Sequence, residues 1–286
     1  MGIIAGLLSM LGWGTSDFLA AKSSRKIGFT LTLFWTQTVS FLIALIYFFV
    51  NFQILNIANI PKFIISLAIS GFLYMIATLA FYKGLKEGQV SLVSPIGASW
   101  VMITIILSVI FLKEVLQTNQ IIAIILIILG IVLVSADVGG ILRIKKLTSF
   151  AGIKEGLIAM FGWGLSLFLV IPASKGLGWF LPVFLLRLFT ILFLASYILF
   201  SKQSFKINFQ PPLLALILPI GLLDMIAFFA YSFGVGGGYT SIVAPIAASF
   251  PIVTIILARI FFKEKFILTQ VFGIVSVIIG LILISI

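Results

Sequence analysis

Four ionisable side chains stand inside long apolar runs of this sequence: Asp17, Arg187, Asp224 and Arg259. A charge near the middle of a bilayer costs about 2.5 kcal/mol or more on insertion scales, so each one needs a partner or a task. Asp224 falls near the centre of "PIGLLDMIAFFAYSFG" and Arg187 near the centre of the preceding run, and a pair between them would relieve both. The sequence leaves open whether such a pair is a structural brace or part of a binding site. Arg259 lies within about one turn of the end of its run and can snorkel to the interface. Asp17 follows Trp13 by four residues, which puts the two on one face of a helix. An indole beside a carboxylate can grip a cationic or amine-bearing solute through charge and ring contact. Asp17 is also near enough to "KSSRK", 22–26, to pair with a surface cation instead. Gln37, Tyr74, Trp100, Trp163 and Tyr231 complete the candidate set. Asp224 ranks first and Asp17 second as sites for a proton or an amine, with Arg187 as counter-charge or as partner for a substrate carboxylate.

The elements that must position these groups are membrane spans. The chain is 62% hydrophobic and 9% charged, with mean hydropathy +1.34, well outside soluble composition. Apolar runs long enough to cross a bilayer as helix recur at about 3–21, 29–50, 62–82, 89–112, 119–136, 152–172, 178–200, 212–233, 239–262 and 268–286. Barrel strands would instead show short alternating segments. The first run lacks a basic leader and a small-residue cleavage site, so it reads as a span. The net charge of +11 is spread over short loops and forms no stripe for nucleic acid. Histidine and cysteine are absent. That removes imidazole catalysis, thiol chemistry and His- or Cys-held metals, so no cofactor or metal is expected. No phosphate-binding "GxxxxGK[ST]" loop occurs, which argues against ATP-driven work by this chain.

Residues 1–136 laid over 151–286 align without a gap, with about 48 identities at the constant offset of 150. "GWG" at 12–14 meets "GWG" at 162–164, and "SLVSPIGAS" at 91–99 meets "SIVAPIAAS" at 241–249. The basic segment 137–150 reads as a linker between two repeats. Each repeat holds five spans, an odd number, so the second must enter the membrane in the opposite sense. The expected fold class is therefore an all-α membrane protein of ten transmembrane helices, built as two inverted five-helix repeats with the site between them. Residues shared by both copies, such as the glycines of "GWG", serve packing. The intramembrane charges are each unique to one copy: Asp17 faces Leu167, Arg187 faces Gln37, Asp224 faces Tyr74 and Arg259 faces Val109.

Pro95 and Pro245 should kink or loosen the fourth and ninth spans, with Gly97 and its small neighbours allowing close approach, so these three residues are candidate hinges. The pairs Lys113–Glu114 and Lys263–Glu264 at span ends suit a cap or a local charge pair. Thirteen of the lysines and arginines fall in the loops after spans 1, 3, 5, 7 and 9, against Lys62, Lys113 and Lys175 opposite. By the positive-inside rule both termini then face outward and the linker is cytoplasmic.

The two-copy layout, the repeated "GWG" and the "SPIGAS…FLKE" stretch resemble the drug/metabolite transporter superfamily, in particular its EamA-type ten-helix carriers. The resemblance covers the whole chain. It implies a fourth span in each half that opens with small residues and proline and closes near an acid, here Ser91–Ser99 with Glu114 and Ser241–Ser249 with Glu264. It implies a secondary carrier in the cell membrane, not an enzyme, moving a small organic metabolite by alternating access, with export and proton coupling as the leading form. Uptake of a sugar or nucleotide precursor by facilitation or exchange is the alternative on the same fold. A non-transporting receptor or assembly subunit is the alternative of another class. The partners implied are a small-molecule substrate and the lipid bilayer, with room for a homodimer and none for nucleic acid.

Overall fold

The computed structural model describes residues 1–88, 90–135, 152–207, 210–237, 240–262 and 268–284. Within them every regular element is helical. The α-helices are α1 (Gly2–Ile27), α2 (Phe29–Val50), α3 (Ile60–Glu87), α4 (Val90–Ala98), α5 (Trp100–Leu112), α6 (Thr118–Ser135), α7 (Ile153–Leu177), α8 (Phe180–Phe200), α9 (Pro211–Gly236), α10 (Thr240–Ala248), α11 (Phe250–Phe262) and α12 (Leu268–Ile284). The segment 137–150 and the pair Lys263–Glu264 lie outside the described residues, as do the side chains of Pro95 and Arg259.

Among the described residues seven helices are long and apolar enough to cross a membrane, and three shorter apolar helices accompany them. Lipid solvates the outer surface with hydrocarbon, so the usual sorting of residue types is inverted. Along α1, Leu8 and Leu11 are exposed while Ser9, Gly12, Gly14 and Ser16 are buried. Small and hydroxyl-bearing residues let helices approach closely where no water is available to drive association. The buried hydroxyls bond to main-chain carbonyls, as Ser9 does to Ala227 at 2.9 Å and Ser40 to Gly221 at 2.8 Å.

Local chemistry marks the ends. Gly28 (φ 86°) makes the one-residue reversal from α1 to α2, and Gly178 (φ 80°) opens the two-residue reversal from α7 to α8, each in a conformation that a side chain would strain. Pro61 in α3 and Pro211 in α9 sit in the first turn, where a missing N–H costs no helical bond.

The fourth and ninth runs, expected as kinked but continuous spans, are each split in two, and the break falls at Ser99 and Ser249 rather than at the prolines. The N–H groups of Ser99 and Ser249 donate to the carbonyls three residues back, Ile96 and Ile246, at 3.3 and 3.1 Å. Met102 and Ile252 donate likewise to Ser99 and Ser249. In the second copy the cause is visible: the Ser249 hydroxyl donates to the Pro245 carbonyl at 2.9 Å. That carbonyl is the one the Ser249 N–H would use in an α-helix, so the side chain displaces the backbone bond.

Helix contacts recur under the 150-residue shift. α1 packs on α9 as α7 packs on α3, α1 meets α10 and α11 as α7 meets α4 and α5, and α6 lies against α12. The "GWG" glycines are the contact points. A Cβ on Gly12 would stand 2.8 Å from Ala227, and one on Gly162 would stand 2.7 Å from Ala77. On Gly14 it would meet the Phe250 carbonyl at 2.6 Å, and on Gly164 the Trp100 carbonyl at 3.1 Å. Thr254 and Thr104 bond across the same seams to the carbonyls of Gly14 and Gly164. A backbone oxygen cannot swing aside as a side chain can. Gly14→Ala is therefore expected to destabilise the purified protein by about 1–3 kcal/mol, read as a lower midpoint of thermal unfolding in detergent. Leu8→Val, on the lipid-facing side of the same helix, leaves the midpoint near its starting value.

Candidate functional site

A small cavity of about 30 Å³ lies where α1, α3, α7 and α9 meet the breaks after α4 and α10. It has room for about one water molecule. Its wall is Trp13 and Asp17 of α1, Tyr74, Thr78 and Tyr82 of α3, Trp100 of α5, Trp163 and Leu167 of α7, Asp224 and Phe228 of α9, and Phe250 of α11. Each of these is no more than 8% exposed. Ten of the eleven form pairs 150 residues apart: 13 with 163, 17 with 167, 74 with 224, 78 with 228 and 100 with 250. The two copies therefore contribute the same five positions and fill four of them differently, tryptophan being kept at 13 and 163. Tyr82 breaks the pattern, since its counterpart Ser232 bonds instead to Ser174 at 2.8 Å and to the Trp179 carbonyl at 2.6 Å.

Behind the Asp224 wall sits Arg187, with no exposed surface. Its Nη2 lies 2.7 Å from Asp224 Oδ2, and its Nη1 donates to Gln37 Oε1. Gln37 and Arg187 are themselves counterparts at the 150 offset, so this bond joins the two copies at equivalent positions. The Nη2 approach to the carboxylate is oblique to its N–H bonds, which makes the contact an ion pair more than a linear hydrogen bond. Phe228 and Tyr74 present their ring faces to the guanidinium, 4.2 and 5.1 Å from its carbon to the centroids. Ser40 adds a hydrogen bond to Asp224 Oδ2 at 3.3 Å. The arginine thus gains a carboxylate, an amide and two π faces in place of water.

Asp17 is placed differently. It faces the cavity and makes no ion pair or hydrogen bond among the described residues, and the surface pairing with 22–26 does not form. Since Arg187 and Asp224 neutralise each other, Asp17 is the uncompensated ionisable group of the wall. Trp13 stands edge-on to Trp100 (6.3 Å between centroids) and tilted against Tyr231 (5.6 Å). Trp163 packs on Phe81 at 4.7 Å and donates from Nε1 to Thr78 at 3.0 Å. A Cβ on Gly97 would lie 3.0 Å from Phe81 and 3.3 Å from Trp163, so this glycine makes room for the ring. Among the described residues no three carboxylates gather to hold a metal.

Of the nine candidate binding residues, Trp13, Asp17, Tyr74, Trp100, Trp163 and Asp224 line the cavity, while Gln37, Arg187 and Tyr231 form the layer behind it. Sequence reasoning missed Thr78, Tyr82, Leu167, Phe228 and Phe250. Helical spacing was the available signal, because 74, 78 and 82 share one face of α3, and 224 and 228 one face of α9. The 150-residue offset would have supplied Leu167 and Phe250.

Helix ends are joined at both ends of the bundle. At the end shared by α5 and α10, Glu114 Oε1 accepts a hydrogen bond of 3.1 Å from the Ser241 N–H in the first turn of α10, a favourable place for a carboxylate. At the other end Lys83 meets Glu155 at 2.9 Å, and Val93 packs against Gly84, Gly152 and Gly156.

A helical bundle of this kind, with apolar helices of membrane-spanning length, belongs among multi-pass membrane proteins. The model of the EamA-like transporter family matches residues 1–136 and again 150–286. The chain belongs to that family, a branch of the drug/metabolite transporters, and so is a membrane transporter-like protein and not one of a family of enzymes. An uncharacterized protein of Methanocaldococcus jannaschii, MJ1333.1, is 34% identical over 134 residues, 46% of this chain and 95% of its own length. One repeat of this chain thus spans nearly all of that protein. A solved crystal structure overlays with a TM-score of 0.76 at 13% identity, covering 99% of this chain and 95% of the other, a likeness of fold.

The buried ion pair sets an expectation that can be measured. Arg187→Met and Asp224→Asn each strand a polar or charged partner, at a cost of about 3–5 kcal/mol when the remaining group is charged. The double variant removes both and should lose less than the sum, with a coupling of about 1 kcal/mol or more in a thermal-unfolding cycle.

Proposed function

We propose that this protein is a secondary transporter of a small organic solute that works by alternating access, with Asp17 as the group that carries a proton or a substrate amine. The observation behind this is the occluded cavity, whose wall comes from five equivalent positions of both copies and whose one uncompensated ionisable group is Asp17. Contacts between helix ends support two inverted five-helix repeats: Glu114 at the end of α5 meets the start of α10, and Lys83 near the end of α3 meets Glu155 at the start of α7. Such contacts are what a second copy running opposite to the first would make. On this reading the spans number ten, with the split spans α4–α5 and α10–α11 as two of them.

The 30 Å³ cavity is too small for a metabolite, so binding requires the walls to part. The breaks at Ser99 and Ser249 divide each of these spans into halves joined by a short, looser turn. Pro95, Gly97 and Pro245 lie within about one turn before these breaks and serve as the hinge region. One end opens by releasing Glu114 from α10, the other by parting Val93 from α7. Lys22, Arg25, Lys26, Lys83, Lys86, Lys154, Lys202 and Lys206 cluster at the end where α1 finishes and α9 begins, which suits a cytoplasmic face in the cell membrane and termini outside. Export follows if a proton entering from outside displaces an amine from Asp17. Arg187 holds Asp224 in this scheme and is out of reach of a substrate carboxylate.

Purified protein in proteoliposomes tests this. A thermal-shift screen of amines and amino acids supplies the substrate, and a pH gradient supplies the drive. Asp17→Asn is expected to abolish gradient-driven flux while the protein still folds. Undiminished coupled flux in that variant would sink the role given to Asp17. Equal flux with and without a gradient in the unmodified protein would instead mark a facilitator or exchanger.

A further inference from the structure

A second cavity, of about 390 Å³, opens at the basic end of the bundle, away from the central site. Its wall joins Lys26 and Ile27 at the end of α1, Leu31 on α2, Lys206 beyond α8, and Gln210 and Leu213 at the start of α9. The arrangement is polar above and apolar below. Two ammonium groups and an amide stand at the rim, and Ile27, Leu31 and Leu213 form the floor where the spans enter the hydrocarbon. The segment carrying Lys206 is fastened in place: the Trp35 indole donates to the Phe205 carbonyl at 3.2 Å, and the Phe205 ring meets Phe34 edge-on at 5.0 Å. Neither lysine has a carboxylate partner among the described residues. Asp17 and Asp224 are in the central cavity, Glu114 is at the opposite end, and Glu87 and Glu155 are both held by Lys83.

The internal repeat supplies a control. At the opposite end of the bundle the counterparts of Lys26, Lys206 and Leu213 are Gly176, Asn56 and Phe63. There the site is filled. The Phe63 ring lies against Gly176 so closely that a Cβ would be 2.5 Å from it, and the Asn56 side chain donates to the Gly176 carbonyl at 3.4 Å. The fold therefore does not require an opening at this position. The copy that faces the basic end has a smaller residue where the plug would be and two cations around the space left. The positive end of the α9 dipole points at the same rim.

We propose that this cavity holds the headgroup of an anionic phospholipid, its phosphate between Lys26 and Lys206 and its acyl chains along Leu31 and Leu213. A basic pocket between spans at the membrane surface meets both halves of such a lipid at once. A cavity of this size excludes a macromolecule, and a free anion has no use for the apolar floor.

Native mass spectrometry and thermal unfolding of the purified full chain decide it, with phosphatidylglycerol, phosphatidylcholine and inorganic phosphate as probes. The unmodified protein is expected to retain one phosphatidylglycerol in preference to phosphatidylcholine and to unfold at a higher temperature in its presence. Lys26→Gln with Lys206→Gln should weaken that retention about 30-fold, at roughly a factor of five per lysine. Lys22→Gln with Lys202→Gln, which removes the same charge from the same end outside the cavity, should leave it within about twofold. Equal retention of the two lipids by the unmodified protein overturns the proposal without any variant having to fold. So does equal loss in the two double variants, or matching stabilisation by inorganic phosphate.

Discussion

The guanidinium of Arg187 has no access to solvent, and the centre of the bundle is organised to make that tolerable. A buried cation without partners would be too costly to keep in hydrocarbon. Here four groups from three other helices close on it: Gln37 of α2, Tyr74 of α3, and Asp224 and Phe228 of α9. Three of these belong to the cavity wall on their other side. The ion pair therefore fixes the register of α3 and α9 against α8 and, with it, the direction in which Tyr74, Asp224 and Phe228 face the cavity. A buried pair of this type adds little net stability over an apolar replacement, but it specifies one arrangement among several that apolar packing would allow. Specifying an arrangement matters more in lipid, where large apolar side chains pack about equally well on lipid and on one another.

Closeness of the backbones is the second constraint, and it comes from the shared residues. Glycines at 12, 14, 162 and 164 bring α1 and α7 against α9, α11, α3 and α5 at distances that no side chain fits. Because both copies keep them, the frame is symmetric. The chemistry hung on it is not: within the five paired wall positions, Asp17 meets Leu167, Thr78 meets Phe228 and Tyr74 meets Asp224. The close backbone approaches are made by the shared glycines, so the wall positions are free to differ between the copies.

Much of this was legible in the residues. Hydropathy located the helices, the 150-residue offset located the repeat, and the cost of a charge in lipid pointed to Asp17, Arg187 and Asp224. The Asp224–Arg187 pair expected from the cost of two charges in lipid is present, whereas the alternative surface pairing of Asp17 with 22–26 is not. Thr78, Phe228 and Phe250 were invisible: a threonine or phenylalanine in a membrane helix is unremarkable until its neighbours on the helix face are known. The position of the helix breaks also escaped. Proline marks where a bond is missing, whereas the break comes a turn later, where a serine hydroxyl takes the carbonyl that the backbone would have used.

Two of the asymmetries between the copies are alike, in that only one copy bears charge at each. In the centre, α1 contributes a carboxylate with no ion pair among the described residues where α7 contributes leucine. At the basic end, Lys26 and Lys206 surround a space that Phe63 fills in the other copy. Inverted copies with identical side chains would make the two membrane faces equivalent, and nothing in such a molecule could distinguish inside from outside. On the proposed reading, any sense of direction must come from residues that the two copies do not share, and the intramembrane charges Asp17, Arg187 and Asp224 are among them.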